Sequence, residues 1–179
     1  MTDMPVQHQY AEELSHCYGC GRNNPCGLHI QTLWTGAEGV ARFTPRDEHI
    51  ALPGFVYGGL LASLVDCHGV ATAAAHAAQD ERQSQEQESG IPLGRFVTAS
   101  LHVDFLRPTP LGVELELRAK VTQRKRRKLV VEVEISALGE VRVRGEVVAA
   151  PMPESMGNSA SPKPGNQDKM LNSSKIIIG

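Results

Sequence analysis

Pro53-Gly-Phe-Val-Tyr-Gly-Gly-Leu-Leu-Ala-Ser-Leu-Val-Asp66-Cys-His-Gly-Val-Ala-Thr-Ala-Ala-Ala-His-Ala-Ala78 is the stretch around which the rest of the chain must be arranged. A Pro-Gly turn and the Gly58-Gly59 pair lead into Leu, Ala and Val, a run that only Gly69 interrupts. From about Gly59 this predicts a helix roughly 30 Å long at 1.5 Å per residue. Its first backbone N–H groups have no bulky side chain to shield them, which suits them to negative charge. Asp66 stands two turns further on, alone among largely apolar neighbours.

On a helix, Asp66 lies beside Ala62, Ser63, Gly69 and Val70 at i±3 and i±4. That face of mostly small residues suits close contact with another backbone or subunit. A carboxylate placed there loses solvent and needs partners or a raised pKa. It is read either as a catalytic acid or base, or as an acid hydrogen-bonded across a dimer interface with no chemistry. The Gly pair is read either as a flexible helix start or as a pair of amides that polarise a carbonyl in the manner of an oxyanion hole. Two helical turns, roughly 10 Å, separate the pair from Asp66 on one helix, too far to share one carbonyl. The two features therefore belong to different sites, each completed by a partner's copy of the helix. His68 and His76 do not share Asp66's face at an i±4 step, and Cys67 reads as a small core residue rather than a nucleophile.

Before the helix, Leu28 to Phe43 divides at Thr35-Gly-Ala-Glu-Gly39 into a β-hairpin. After Pro92 the period switches to two, with Val97, Ala99, Leu101, Val103 and Phe105 on the apolar face of a strand. Pro108-Thr-Pro-Leu-Gly112 ends that strand, and Val113–Val121, Leu129–Ala137 and Glu140–Ala150 give three more. The class is α+β, a long central helix wrapped by a curved antiparallel sheet of about six strands. Residues 1–16 read as a polar, peripheral segment and 17–150 as the domain. Residues 151–179, rich in Pro, Ser, Asn, Gly and Lys, read as a disordered tail. Gln79 to Gly90 reads as a solvated loop or helix extension.

Among 179 residues, 18 Lys and Arg nearly balance 20 Asp and Glu, so no overall charge points to a nucleic-acid or membrane-surface partner. The first residues carry neither a basic region nor an apolar run, and no segment approaches ~20 continuous apolar residues. The expectation is a cytoplasmic protein with reduced cysteines.

Cys17-Tyr-Gly-Cys20-Gly-Arg-Asn-Asn-Pro-Cys26 is dense in turn formers. Three cysteines there can ligate zinc with His16 or His29, but their spacing is not a paired Cys-x-x-Cys set. We read a structural turn and expect no metal. Gln123-Arg-Lys-Arg-Arg-Lys128 is a basic turn. It is either a solvated hairpin tip or a contact for the phosphates of a nucleotide-bearing substrate.

Three segments together resemble the hotdog-fold acyl-CoA thioesterases of the PaaI type. They are Cys17–Leu28, Pro53–Asp66 and Arg95-Phe-Val-Thr98-Ala-Ser-Leu-His-Val-Asp-Phe-Leu-Arg-Pro108. The resemblance implies protomers paired sheet to sheet in a homodimer, with tetramers common, and active sites at the dimer interface. It implies that Gly58 or Gly59 polarises the thioester carbonyl and that Asp66 of the partner subunit acts as nucleophile or general base. It implies that Thr98 positions water. Acyl-CoA would be the substrate, its phosphates meeting Arg124, Lys125, Arg126, Arg127 and Lys128. Thioester hydrolysis so arranged needs a carbonyl polariser and an activator of water, and no cofactor. Tyr57 stands where the family carries His before the Gly pair, and is expected to contact substrate. That departure keeps a second reading open, a hotdog module that binds acyl-CoA without hydrolysing it. A hotdog hydratase is a third, but no helix-opening Asp is followed by His at that class's spacing.

Overall fold

The computed structural model describes residues 4–85 and 93–157. Strands β1 (Leu33–Trp34) and β2 (Gly39–Phe43) form the expected hairpin. Strands β3 (Ile50–Leu52) and β4 (Phe55–Val56) form a second, smaller one around Pro53-Gly54. Gly54 has φ 84°, the conformation that the third position of a type II turn demands and that glycine adopts without a steric penalty. Helix α1 then runs Gly58–Gln85. Strands β5 (Phe96–Phe105), β6 (Leu115–Lys125), β7 (Lys128–Ala137) and β8 (Glu140–Pro151) follow, and a single turn, α2 (Glu154–Gly157), closes the described chain.

Six strands make one antiparallel sheet in the order β1-β2-β6-β7-β8-β5. β5 pairs with β8 rather than with β6, its successor in sequence, and so lies at one edge of the sheet. The β7–β8 connection is the two-residue Leu138-Gly139 turn, both residues at positive φ. Two left-handed residues match the right-handed twist of a hairpin.

Helix α1 lies in the hollow of this sheet. Leu64 and Val65 meet Leu115, Leu117, Val131, Val133, Ile135, Val143 and Val147, none more than 1% exposed. Each such side chain contributes about 1.5–3 kcal/mol on burial. Small residues set how closely the layers approach. A Cβ on Gly69 would fall 2.7 Å from a Val147 methyl, and one on Gly145 would collide with Val65. Gly69 and Val70 are thus buried in the protomer's own core, while Ala62 and Ser63 stay half-exposed. Only part of the small-residue face around Asp66 remains open to another chain.

Three sequence expectations change. Residues 4–16 are not peripheral, because Val6, Gln7 and Tyr10 are buried. Polar residues enter the core there because their hydrogen bonds are met. The Gln7 amide takes the Thr32 N–H at 2.8 Å and donates to Thr32 Oγ1 at 3.1 Å, while Thr32 Oγ1 lies 2.9 Å from His68 Nδ1. Second, α1 is long and apolar enough to cross a membrane by length and composition, although 72% of its apolar window is buried in the fold. An all-round apolar helix results because the sheet wraps it on several sides. Third, the alternation in β5 does not bury a face. Ala99, Leu101 and Phe105 are exposed, since an edge strand with a register shift between Thr98 and Ser100 is left largely uncovered by the described residues. Of the polar run 79–90, residues 79–85 extend the helix and the remainder lies outside the described residues. Of the tail, 151–157 are described and 158–179 are not.

Candidate active site

Asp66 and Thr98, 32 positions apart, meet between the middle of α1 and the start of β5. The Thr98 hydroxyl donates a hydrogen bond to Asp66 Oδ1. Oδ2 accepts no hydrogen bond from any described residue. Burial pushes the Asp66 pKa above its ordinary value, against the opposing pull of the Thr98 hydroxyl. The nearby Cys17 raises it further and Arg95 lowers it. The pair lines a cavity of about 180 Å³ together with Cys17, Cys20, Cys67, Val70, Arg95, Phe96 and Val97. A partly desolvated carboxylate with one fixed oxygen and one free oxygen is suited to accept a proton from water.

The helix start is built differently. Tyr57 O accepts from Leu60 N at 3.1 Å and from Leu61 N at 3.3 Å, which closes the first turn. Among the described residues, nothing accepts from the Gly58 or Gly59 N–H. Phe105 of β5 packs on Gly58, where a Cβ would lie 3.4 Å from its ring, and the Tyr57 ring covers Gly59 so closely that a Cβ would strike it. Seven or eight residues separate these amides from Asp66, or about 10–12 Å along the axis. The protomer therefore does not bring the Gly pair and Asp66 to one point.

The cysteines sort themselves in a way the sequence did not indicate. Cys26 is exposed, whereas Cys67 of α1 joins Cys17 and Cys20. Gly19 makes this possible, since any side chain there would collide with Cys67 Sγ. The thiols of Cys20 and Cys67 turn toward Cys17 and hold it far below the usual thiol range. Cys20 is correspondingly pushed up to about 11, and Cys67 well above its ordinary value. Arg95 lies beside this group with its guanidinium 4.2 Å from the Tyr10 ring centroid. Neither Arg95 nor Cys67 stood out in the sequence, because nothing local marks a lone Arg or a cysteine in an apolar helix.

The basic run is only partly a turn. Arg124 and Lys125 complete β6, Lys128 opens β7, and Arg126-Arg127 form the tip, with Arg126 at φ 58°. Arg124 is tied to α1 by a 2.7 Å ion pair with Asp80. Arg124, Arg126 and Arg127 line a groove of about 300 Å³ that also contains Arg95 and Phe96; Lys125 and Lys128 do not line it. Arg95 and Phe96 thus border both the arginine groove and the Asp66 cavity. Two larger depressions, about 650 and 600 Å³, are lined by β2 and β6 or by β6, β7 and β8, and neither contains Asp66 or the helix start.

A family model for the thioesterase superfamily matches residues 53–148, from the Pro-Gly turn into β8. The chain belongs to the thioesterase superfamily. A thioesterase superfamily protein from Shewanella loihica is 43% identical over 80% of this chain and 100% of its own, with a TM-score of 0.58. In fold, this superfamily member is also similar to the PaaI protein of the E. coli phenylacetic acid degradation operon. That match has 19% identity, 70% and 81% coverage and a TM-score of 0.55. The Thermus thermophilus phenylacetic acid degradation protein PaaI, in a mutant form, is 23% identical, with 70% and 95% coverage and a TM-score of 0.53. No curated protein matches the sequence. The architecture is the hotdog fold, and superfamily membership supports thioester hydrolysis as the class of chemistry.

Proposed function

We propose that this chain hydrolyses acyl-CoA thioesters to the free acid and CoA, in the cytoplasm, as a homodimer or homotetramer. The observation that carries the reading is the Asp66–Thr98 pair in its cavity, beside a helix start whose Gly58 and Gly59 amides have no acceptor among the described residues. A water held by Asp66 Oδ2 attacks the thioester carbonyl as the carboxylate takes its proton. The Gly58 and Gly59 amides stabilise the oxyanion, and collapse of the tetrahedral intermediate expels the CoA thiolate, which recovers the proton. Since the amides and carboxylate of one protomer are about 10–12 Å apart, the site pairs Asp66 and Thr98 of one protomer with the helix start of its partner. Support for pairing comes from the free edge of β5 and from exposed Leu101, Phe105 and Leu106, with Tyr57 beside the helix start. The arginine groove suits the CoA phosphates, because it shares Arg95 and Phe96 with the Asp66 cavity. Thiol release from a panel of acyl-CoAs tests the reading. Asp66→Asn that turns over as fast as the parent would refute the assignment.

A second reading rests on Tyr57. Its ring lies over Gly59, where the substrate carbonyl would have to approach. If the ring stays there, the chain binds acyl-CoA without hydrolysing it. Measurable binding with hydrolysis no faster than in buffer identifies that case.

A further inference from the structure

The Sγ atoms of Cys17, Cys20 and Cys67 all lie within 4.8 Å of one another, with Cys17 and Cys67 at 3.9 Å. They come from a Cys-x-x-Cys loop and from a helix 47 positions beyond Cys20, so sequence proximity alone does not account for the meeting. Tetrahedral zinc with Zn–S bonds of about 2.3 Å holds its sulfurs about 3.8 Å apart. The Cys17–Cys67 distance of 3.9 Å is close to that and the other two stay within 4.8 Å, whereas a disulfide would have to draw a pair in to about 2.05 Å and leave the third thiol unused. Cys20 and Cys67 are buried and Cys17 is half-buried, so the sulfurs face one another rather than water.

We infer that Cys17, Cys20 and Cys67 form a binding site for one thiophilic divalent cation, of which zinc is the representative. Three thiolates around a doubly charged ion leave one net negative charge, and Arg95 stands beside Cys20 to balance it. On binding, all three cysteines ligate as thiolates, those still protonated releasing their protons, and three metal–sulfur bonds form. All three cysteines line the cavity shared with Asp66 and Thr98, so water or a small ligand from that cavity would complete the coordination. The ion would pin the N-terminal loop to the helix position next to Asp66 and hold one wall of the cavity in place. The inference is independent of thioester hydrolysis, because metal content and activity are measured separately.

The test uses the full chain. Purified protein should contain about one zinc per chain, and the reduced, stripped protein should take up one Zn2+ in competition with a chromophoric chelator. Cobalt substitution should give a thiolate-to-metal charge-transfer band. Cys67→Ala and Cys20→Ala should weaken Zn2+ by more than about tenfold, while Cys26→Ala keeps it. Because a cluster variant can fail to fold, the parent protein supplies a second measurement. With zinc bound, alkylation followed by mass spectrometry should modify Cys26 alone, and after stripping all four cysteines should react. A reduced parent protein that binds no Zn2+ overturns the site, as does a Cys17–Cys67 disulfide in place of the metal or full zinc retention in Cys67→Ala.

Discussion

Thr98 on the edge strand hydrogen-bonds Asp66 on the central helix, and this contact joins the elements that bound the cavity. Thr98 fixes one carboxylate oxygen and thereby aims the other. Thr98→Val should lower kcat by about tenfold or more, and Thr98→Ser should restore most of it, because a hydrogen bond to a charged group is worth about 1.5–3 kcal/mol. Asp66→Asn should cost about 10²–10⁴ in kcat, the range for a lost general base. Steady-state thiol release on the three variants provides the check.

The proposed sharing of the site between protomers predicts complementation. Asp66→Asn and Gly59→Val homodimers should each be inactive, the second because its side chain meets Tyr57. Mixed after unfolding and refolding together, they should regain activity through heterodimers that keep one intact site. Absence of recovery, with heterodimers shown by mass spectrometry, would place both groups in one protomer's site.

The arginine groove predicts a split between substrate binding and turnover. Arg126→Glu with Arg127→Glu should raise KM for acyl-CoA about tenfold with little change in kcat, since phosphate contacts lie away from the reacting carbon. An acyl thioester lacking the nucleotide should be unaffected. Equal losses on both substrates would remove the phosphate assignment.

His68 makes stability depend on pH. Burial holds its imidazole down from 6.5 to about 4, against a smaller opposing effect of the Gly39 backbone. Between those values the unfolded chain binds the proton and the folded chain does not, so stability falls as pH drops from about 6.5 and levels off below about 4. The full effect is about 3 kcal/mol at 1.36 kcal/mol per pKa unit. Urea unfolding at pH 7 and pH 5 should show the loss, and His68→Asn should reduce it.

Gly145 is held small by its surroundings. A Cβ there would collide with Val65 and lie 3.2 Å from the His102 carbonyl oxygen, and a backbone oxygen paired in the sheet cannot give way. Gly145→Ala should therefore destabilise the fold by about 1–3 kcal/mol, seen as a lower urea midpoint with an unchanged slope.

Local patterns carried the architecture. The Pro53-Gly54 turn, the Gly58–Ala78 run and the two-residue periods from Phe96 to Ala150 depend on steric and hydrophobic preferences of neighbouring residues, and these are legible in one dimension. The helix pattern singled out Asp66 and the family resemblance pointed to Thr98, but neither showed that they touch. They could not show that β5 pairs with β8 and becomes an edge, which is why its apolar alternation was not a sign of burial. The polar residues 4–16 likewise gave no sign that Gln7 would satisfy Thr32 inside the core.

What the amino-acid sequence determined by itself was the fold class, the helix start with its glycine amides and the carboxylate two turns beyond it. Tertiary structure alone decided which groups share a cavity. Thr98 reaches Asp66, Arg95 borders two cavities, and Cys67 rather than Cys26 completes the thiol cluster. The physical reason is that such meetings depend on how a sheet closes around a helix, with glycines such as Gly19 and Gly145 setting the distance. That closure sums contacts across the whole chain and is written in no single stretch of it.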